Sequence, residues 1–199
     1  MNPHAATFEN YYQKNDDPWG FRSRFYEKRK RAILLASLPR ERFDSVWEIG
    51  CSNGELAAHL AERSDFLLAT DGNERATALA QERLASIPGI RVEQSWLPRD
   101  CPEEVFDLIV LSEVGYYLSR HELKELTKLL SARLSGTGVF VACHWRVPIE
   151  GCELDGEGVH RILRQGLPWH YACSHIEPDF ILDIWTVEAA SVAMKEGLR

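Results

Sequence analysis

Unbroken apolar runs and segments with helical spacing alternate along this 199-residue chain. A run such as Leu108-Ile109-Val110-Leu111 is typical of a parallel strand buried on both faces. The predicted strands are about Ser45–Ile49, Phe66–Thr70, Gly89–Gln94, Phe106–Leu111 and Val139–His144. The predicted helices are about Arg24–Leu38, Glu55–Arg63, Asn73–Ser86, Ser119–Leu134 and Glu157–Arg164. This alternation favours an α/β fold in which helices cover both faces of a mainly parallel sheet.

The end of the chain departs from this alternation. Two further strands, about Trp169–Ile176 and Asp179–Val187, are joined by a connection too short for a crossover helix. They are therefore predicted to form an antiparallel hairpin. A doubly wound, mainly parallel seven-stranded sheet that ends in such a hairpin resembles the Rossmann-like methyltransferase fold. We expect one domain over residues 1–199.

A glycine-containing loop follows the first predicted strand, at the sheet edge where open α/β sheets bind ligands. Its sequence, Glu48-Ile49-Gly50-Cys51-Ser52-Asn53-Gly54, resembles the methyltransferase glycine loop, with Ser52 in place of the middle glycine. A dinucleotide loop would instead read Gly-x-Gly-x-x-Gly, and Glu48 would repel a diphosphate while pairing with a methionine ammonium. The alternative is an ordinary strand–helix turn. We expect the cofactor S-adenosyl-L-methionine and the product S-adenosyl-L-homocysteine, bound in part by Glu48, Gly50, Cys51, Ser52 and Gly54.

Further candidate cofactor residues end the next strands. Asp71 lies about 20 residues beyond the loop, where a carboxylate can accept the ribose hydroxyls; with Gly72 it could instead form a turn. Trp96 follows the third strand and either lies against the purine or fills the core. Ser112, at the end of the fourth strand, completes this part of the predicted site.

Three segments together resemble the NodS family of nodulation methyltransferases. They are Phe106–Leu118, the glycine loop, and Asp16-Asp17-Pro18-Trp19 followed by Phe25-Tyr26-Glu27-Lys28-Arg29. Members of that family N-methylate the free amine of a deacetylated chitooligosaccharide. The resemblance runs from about Tyr11 to the final strand and is weaker beyond Cys143. It implies that the chain N-methylates an amine-bearing small molecule or an amino sugar.

The same resemblance implies a role for the N-terminal region, about residues 1–40. This region would fold over the cofactor as a lid, with Trp19 and Tyr26 closing the methionine side. Arg24 or Arg29 would reach the methionine carboxylate. The alternative is a helix packed on the sheet edge, with its aromatic residues in the core.

Glu113 and His144 are the candidate catalytic residues. They follow the fourth strand and end the fifth, at the edge facing the methyl group. Methyl transfer requires alignment of nucleophile, methyl and sulfur, and an attacking amine must be neutral, so a carboxylate or imidazole can take its proton. Tyr116, Tyr117 and Trp145 are candidate walls of the acceptor pocket. Each residue has a structural alternative, as a helix cap or as part of the core.

The composition limits the classes of partner that the protein can bind. Acidic residues outnumber basic ones by 30 to 23, for a net charge of −7, which argues against a nucleic-acid binder. No apolar stretch approaches the roughly 20 residues that span a bilayer, and no signal peptide is evident. The five scattered cysteines suggest reduced thiols in the cytoplasm. The histidines and cysteines of the C-terminal part lack zinc-site spacing, so no metal is expected.

Two other functions stay open at this point. One is an O-methyltransferase that acts on a natural product, because an acid or base near Glu113 would serve a hydroxyl as well. The other is a non-catalytic adenosylmethionine-binding regulatory protein. The expected partner is a small-molecule acceptor, without nucleic acid or membrane, and the expected state is a monomer or homodimer.

Overall fold

The strands of the sheet are β1 Phe43–Ile49, β2 Ser64–Asp71, β3 Ile90–Gln94, β4 Phe106–Ser112, β5 Leu134–Trp145, β6 His170–Ile176 and β7 Phe180–Thr186. The computed structural model describes residues 4–199, and in this part of the chain these strands form one sheet in the order β3-β2-β1-β4-β5-β7-β6. Strands β1 to β5 run parallel, whereas β7 pairs antiparallel with both β5 and β6. The predicted parallel sheet with a C-terminal antiparallel hairpin is therefore confirmed.

The α-helices are α1 Ala5–Lys14, α2 Phe25–Ser37, α3 Glu55–Ala61, α4 Glu74–Leu84, α5 Arg120–Arg133, α6 Gly156–Gly166 and α7 Val192–Lys195, and a short 3-10 turn covers Gly115–Tyr117. Helix α5 begins at the predicted capping box, in which the Ser119 N–H donates to the Glu122 carboxylate at 2.8 Å and the Glu122 N–H donates to Ser119 Oγ at 3.2 Å. No helix among residues 4–199 is long and apolar enough to cross a membrane.

The sheet has a hydrophobic core on each face. The side chains of Ile109 and Leu111 of β4 lie on the face covered by α5 and α6. Those of Leu108 and Val110 lie on the face covered by α2, α3 and α4. All four side chains are fully buried, which explains why β4 reads as an unbroken apolar run. The helices on both faces leave the carboxyl edge of the parallel strands open for a site.

Some predictions of local structure were wrong or incomplete. Strand β5 begins at Leu134 rather than near Val139, so it includes Gly136-Thr137-Gly138. Helices α1 and α7 were not predicted. Helix α1 is largely exposed and buries only Tyr12, so the sequence offers few core positions from which to predict it.

Candidate active site

A cavity of about 600 Å³ lies at the carboxyl edge of the parallel strands. A smaller cavity of about 60 Å³ shares Gly50, Ser52, Ser112 and Glu113 with it and extends to Glu48. The predicted site residues that line these two cavities are Trp19, Arg24, Tyr26, Glu48, Gly50, Cys51, Ser52, Asp71, Gly72, Trp96, Ser112, Glu113, Tyr116, Tyr117 and Trp145. Gly54, Arg29 and His144 are absent from both linings.

The glycine loop is bent by residues with positive φ. Gly50 has φ +82°, and a Cβ there would lie 2.1 Å from Val114, so only glycine fits this position. Ser52, in the place of the expected middle glycine, adopts φ 50°. Its N–H donates to the Asp71 carboxylate at 2.9 Å, which ties the loop to the end of β2. Gly54 packs against Ala80 of α4, so its role is to let α3 begin close to α4.

One carboxyl oxygen of Glu48, beneath this loop, lacks a hydrogen-bond partner. The residue is 2% exposed, and its Oε2 has no hydrogen-bond partner among the described residues. Burial, together with the nearby charge of Asp71, raises the pKa of Glu48 to about 8. A buried acceptor without a donor costs free energy, and a cationic group in the small cavity would relieve that cost.

Asp71 has the turn-forming role weighed for it from the sequence, and it also lines the large cavity. Its two oxygens accept the N–H groups of Ser52 and Asn73, each at 2.9 Å, so it does shape the turn. Burial nevertheless raises its pKa, although these amides act in the opposite direction. Because a carboxylate has about four acceptor positions, it can still bind ribose hydroxyls in the large cavity. Trp96 lies against Gly72, where an added Cβ would be 2.7 Å from its ring, and forms a flat wall of the same cavity.

The N-terminal region covers this cavity. Tyr12 of α1 is hydrogen-bonded through its hydroxyl to Ser52 Oγ at 2.6 Å. The Phe8 ring meets Tyr117 edge-on at 4.8 Å, and Trp19 contacts the Tyr12 ring at 5.7 Å. Phe8 and Tyr12 line the large cavity but were not predicted as site residues. Their spacing of four positions, which places two aromatic rings on one helical face, was the available signal.

Glu113 lines both cavities and joins three elements of the fold. It is not a glycine, yet it has φ 60°, a strained conformation that is often found at functional sites. Its carboxylate accepts from Lys30 Nζ of α2 at 2.5 Å, from the Trp145 N–H of β5 at 2.9 Å and from the Tyr116 hydroxyl. Lys30 also contacts the Glu27 carboxylate at 3.0 Å.

Lys30 lies between the carboxylates of Glu27 and Glu113. Burial opposes the charge on Lys30, but the carboxylates of Glu113 and Glu27 outweigh that effect and hold its pKa above the usual range. Two carboxylates thus face one ammonium. Neither Lys30 nor Glu27 was predicted, because Lys30 is one of four consecutive basic residues on α2 and such a stretch reads as a solvated face without the fold.

Tyr26 lines the large cavity, and its place on the methionine side stays a prediction. Its ring meets Trp145 edge-on at 5.5 Å, and Lys30 Nζ lies 5.1 Å from its centroid. Its buried hydroxyl has no hydrogen-bond partner among residues 4–199. Tyr116 and Tyr117 contact each other edge-on at 4.8 Å, and both line the large cavity.

The geometry does not support two of the sequence-based assignments. His144 is fully buried, and both of its ring nitrogens are hydrogen-bonded within the protein, to the Gly115 N–H and to His160, so it does not face a substrate. Arg29 forms a two-pronged ion pair with Glu177 at the surface. This pairing at the surface keeps its side chain outside both cavities.

The comparisons with known proteins agree with this geometry. A family model, Nodulation protein S (NodS), matches residues 9–147. The chain is 32% identical over 118 residues to a nodulation protein S from Rhizobium tropici, a match that covers 56% of this chain and 50% of that protein. The chain thus spans about half the length of this curated relative.

Two solved structures extend the similarity to most of the chain. A candidate methyltransferase from Pseudomonas syringae is 47% identical, with a TM-score of 0.74 over 82% of this chain and 99% of that chain. The N-methyltransferase NodS from Bradyrhizobium japonicum WM9, solved with S-adenosyl-L-homocysteine, is 25% identical, with a TM-score of 0.83 over 94% and 98% of the two chains. The predicted Rossmann-like methyltransferase fold and the NodS-like resemblance are confirmed, and this chain belongs to the NodS family.

Proposed function

We propose that this protein is an S-adenosylmethionine-dependent methyltransferase that N-methylates an amine-bearing small molecule or an amino sugar. The observation that carries the proposal is the buried, unpartnered carboxylate oxygen of Glu48 beneath the glycine loop. A cofactor with a cationic methionine end supplies the partner that this oxygen lacks. Membership of the NodS family and the bound product in the NodS structure support the same assignment.

The lining residues fit the cofactor along its length. Glu48 would hold the methionine ammonium, Asp71 would accept the ribose hydroxyls, and Trp96 would lie against the adenine. Gly50 lets the backbone approach closely, since no Cβ stands between the loop and the cavity. When bound, the cofactor supplies an electrophilic methyl group on a sulfonium. The N-terminal region, with Tyr12 and Trp19, would close over it and exclude water.

The acceptor end of the cavity fits an amine. Tyr26, Tyr117 and Trp145 provide aromatic faces for a sugar ring or a cation. Glu27 and Glu113 outnumber Lys30 in charge and would attract an ammonium. We propose that the ammonium loses its proton to the Tyr116 oxygen while Tyr116 passes its own proton to Glu113, which already accepts that hydroxyl. The neutral amine then attacks the methyl group in line.

The test is a transfer assay with methyl-labelled cofactor and a panel of amino sugars, small amines and phenols, read by mass spectrometry. We expect label on nitrogen of at least one amine, with a rate that rises with pH as the amine loses its proton and then levels off. Label only on hydroxyl oxygens would replace the N-methyl assignment with O-methylation. Tight binding of S-adenosylhomocysteine without any transfer would favour a regulatory protein.

The setting of the reaction is also a proposal. We infer a single domain over residues 1–199, acting in the cytoplasm as a monomer or homodimer on a small-molecule acceptor. The five cysteines, all free in the structure, support a reducing compartment. Sedimentation of the purified protein would distinguish monomer from homodimer.

A further inference from the structure

A buried chain of hydrogen bonds runs from the rim of the candidate active site into the protein. The Gly115 N–H donates to His144 Nε2 at 3.0 Å, and His144 Nδ1 lies 3.1 Å from His160 Nε2. His160 Nδ1 lies 2.7 Å from the Asp183 carboxylate, and all three side chains are fully buried. Together, His144 of β5, His160 of α6 and Asp183 of β7 are named the histidine chain.

The far end of the histidine chain is anchored by charge. Arg164 donates to both Asp183 oxygens, at 2.7 and 2.9 Å, and the Tyr171 hydroxyl donates to one of them at 2.7 Å. Burial alone would raise the pKa of Asp183, but the hydrogen bonds from His160 and Arg164 hold it well below the usual range. Asp183 therefore acts only as an acceptor toward His160.

This arrangement fixes the protons on both rings. A backbone N–H can only donate, so His144 Nε2 must be bare and its proton must sit on Nδ1. That proton points to His160 Nε2, which must also be bare, and the His160 proton on Nδ1 then points to Asp183. Both histidines are thus neutral and of the same tautomer. A second proton on either ring would set two donors against each other.

The near end of the histidine chain meets a tightly packed turn. A Cβ at Gly115 would lie 2.9 Å from His144 Nε2 and 2.6 Å from Val159 of α6, so only glycine allows this approach. Gly115 begins the 3-10 turn that carries Tyr116, whose hydroxyl donates to Glu113. The His144 ring also contacts the Tyr116 ring edge-on at 5.4 Å.

We propose that the histidine chain is a positioning device: it holds the Gly115–Tyr117 turn, and through it the Tyr116–Glu113 pair, in the geometry that receives the proton of the acceptor amine. The effect on turnover rests on the proposed function, whereas the proton positions and the hold on Gly115 do not. His144 thereby acts on the reaction through Gly115 and Tyr116 without touching the substrate. A loosened turn would leave cofactor binding intact and slow the transfer step.

The first test is nuclear magnetic resonance of the full chain with isotope-labelled histidine nitrogens. We expect His144 and His160 each to carry a proton on Nδ1 and none on Nε2 at neutral pH. A proton on Nε2 of either ring overturns the proposal. This measurement needs neither substrate nor cofactor, so it decides the proton positions even if no methyl transfer is found.

The second test compares His160→Leu with His160→Gln. Leucine removes the acceptor for His144, whereas the glutamine amide offers one acceptor and one donor, like the native ring. In His160→Leu we expect the amide proton of Gly115 to exchange with solvent roughly tenfold faster than in the wild type. We also expect kcat to fall roughly tenfold, while the affinity for S-adenosylhomocysteine stays unchanged. His160→Gln should restore both. Wild-type values in His160→Leu, or no rescue in a folded His160→Gln, would refute the device. Should His160→Leu fail to fold, the values for His160→Gln and the wild-type nuclear magnetic resonance spectrum still test the proposal.

Discussion

Binding of the cofactor product should release a proton from Glu48. In the free protein the pKa of this carboxyl is about 8, because the side chain is buried and close to the charge of Asp71. In most protein molecules the carboxyl group of Glu48 is therefore protonated near neutral pH. A methionine ammonium placed against Glu48 favours the carboxylate, so the proton must leave when the ligand binds.

The size of the effect follows from that pKa. With a free-state pKa of about 8, only about 1% of the molecules carry the carboxylate at about pH 6, compared with about half at about pH 8. If the bound state is ionised at both values, affinity should rise about 50-fold over this range, or roughly 2.3 kcal/mol.

Isothermal titration calorimetry with S-adenosylhomocysteine, in two buffers of different ionisation heat, measures both quantities. We expect close to one proton released at about pH 6 and about half a proton at about pH 8. Glu48→Gln should lose the proton release and the pH dependence, whereas Glu62→Gln, at an exposed position, should keep both. Equal affinity at the two pH values with no proton release would refute the pairing of Glu48 with the ammonium. Absence of binding at every pH would instead contradict the proposed cofactor.

Three further outcomes are expected. Asp71→Asn should weaken S-adenosylhomocysteine binding by about 1–3 kcal/mol, because an amide is a poorer acceptor for the ribose hydroxyls; unchanged calorimetric affinity would assign Asp71 to the turn alone. Deleting residues 1–20 should leave the sheet folded by circular dichroism but reduce turnover, and full activity would show that α1 is not a lid. Glu113→Gln should lower kcat at least about tenfold while cofactor affinity changes little, and normal methylation would make Glu113 purely structural.

Glu48 also makes a prediction for stability. Its folded pKa of about 8 lies above the ordinary value of 4.5, so the folded protein binds more protons than the unfolded chain between these pH values. The contribution of Glu48 to stability therefore falls as pH rises from about 4.5 to about 8. The melting temperature of Glu48→Gln relative to wild type should increase from about pH 5 to about pH 8, and a constant difference would contradict the raised pKa.

The parts of the site that follow from local spacing were predictable. The loop Glu48–Gly54, Asp71 and Trp96 each follow a strand, and the carboxyl ends of neighbouring parallel strands meet at one edge. Their positions along the chain therefore place them together, and the structure brings them to the same pair of cavities. The assignment of Glu113 to the edge of the cavity followed from the same rule.

Other features depend on which way a side chain points. His144 lies next to the last residue of β5, at the correct edge, yet the alternation of the strand turns its ring toward α6 and not into the cavity. Lys30 and Glu27 become site residues only because α2 packs across Glu113. Asp183 lies on the antiparallel strand inserted between β5 and β6, far from His144 in sequence. Such pairings are set by tertiary packing, which no local pattern encodes.

The distribution of tryptophans gives the protein an optical signal of its own. Of six tryptophans, Trp19, Trp96 and Trp145 line the large cavity. Trp47 and Trp185 are buried in the core, and Trp169 packs against it. Ligand entry changes the surroundings of the first three, and a purine stacked on one of these indoles would quench it. Intrinsic fluorescence can therefore report occupancy without any label, and replacing Trp19, Trp96 or Trp145 with phenylalanine one at a time would show where along the cavity a ligand lies.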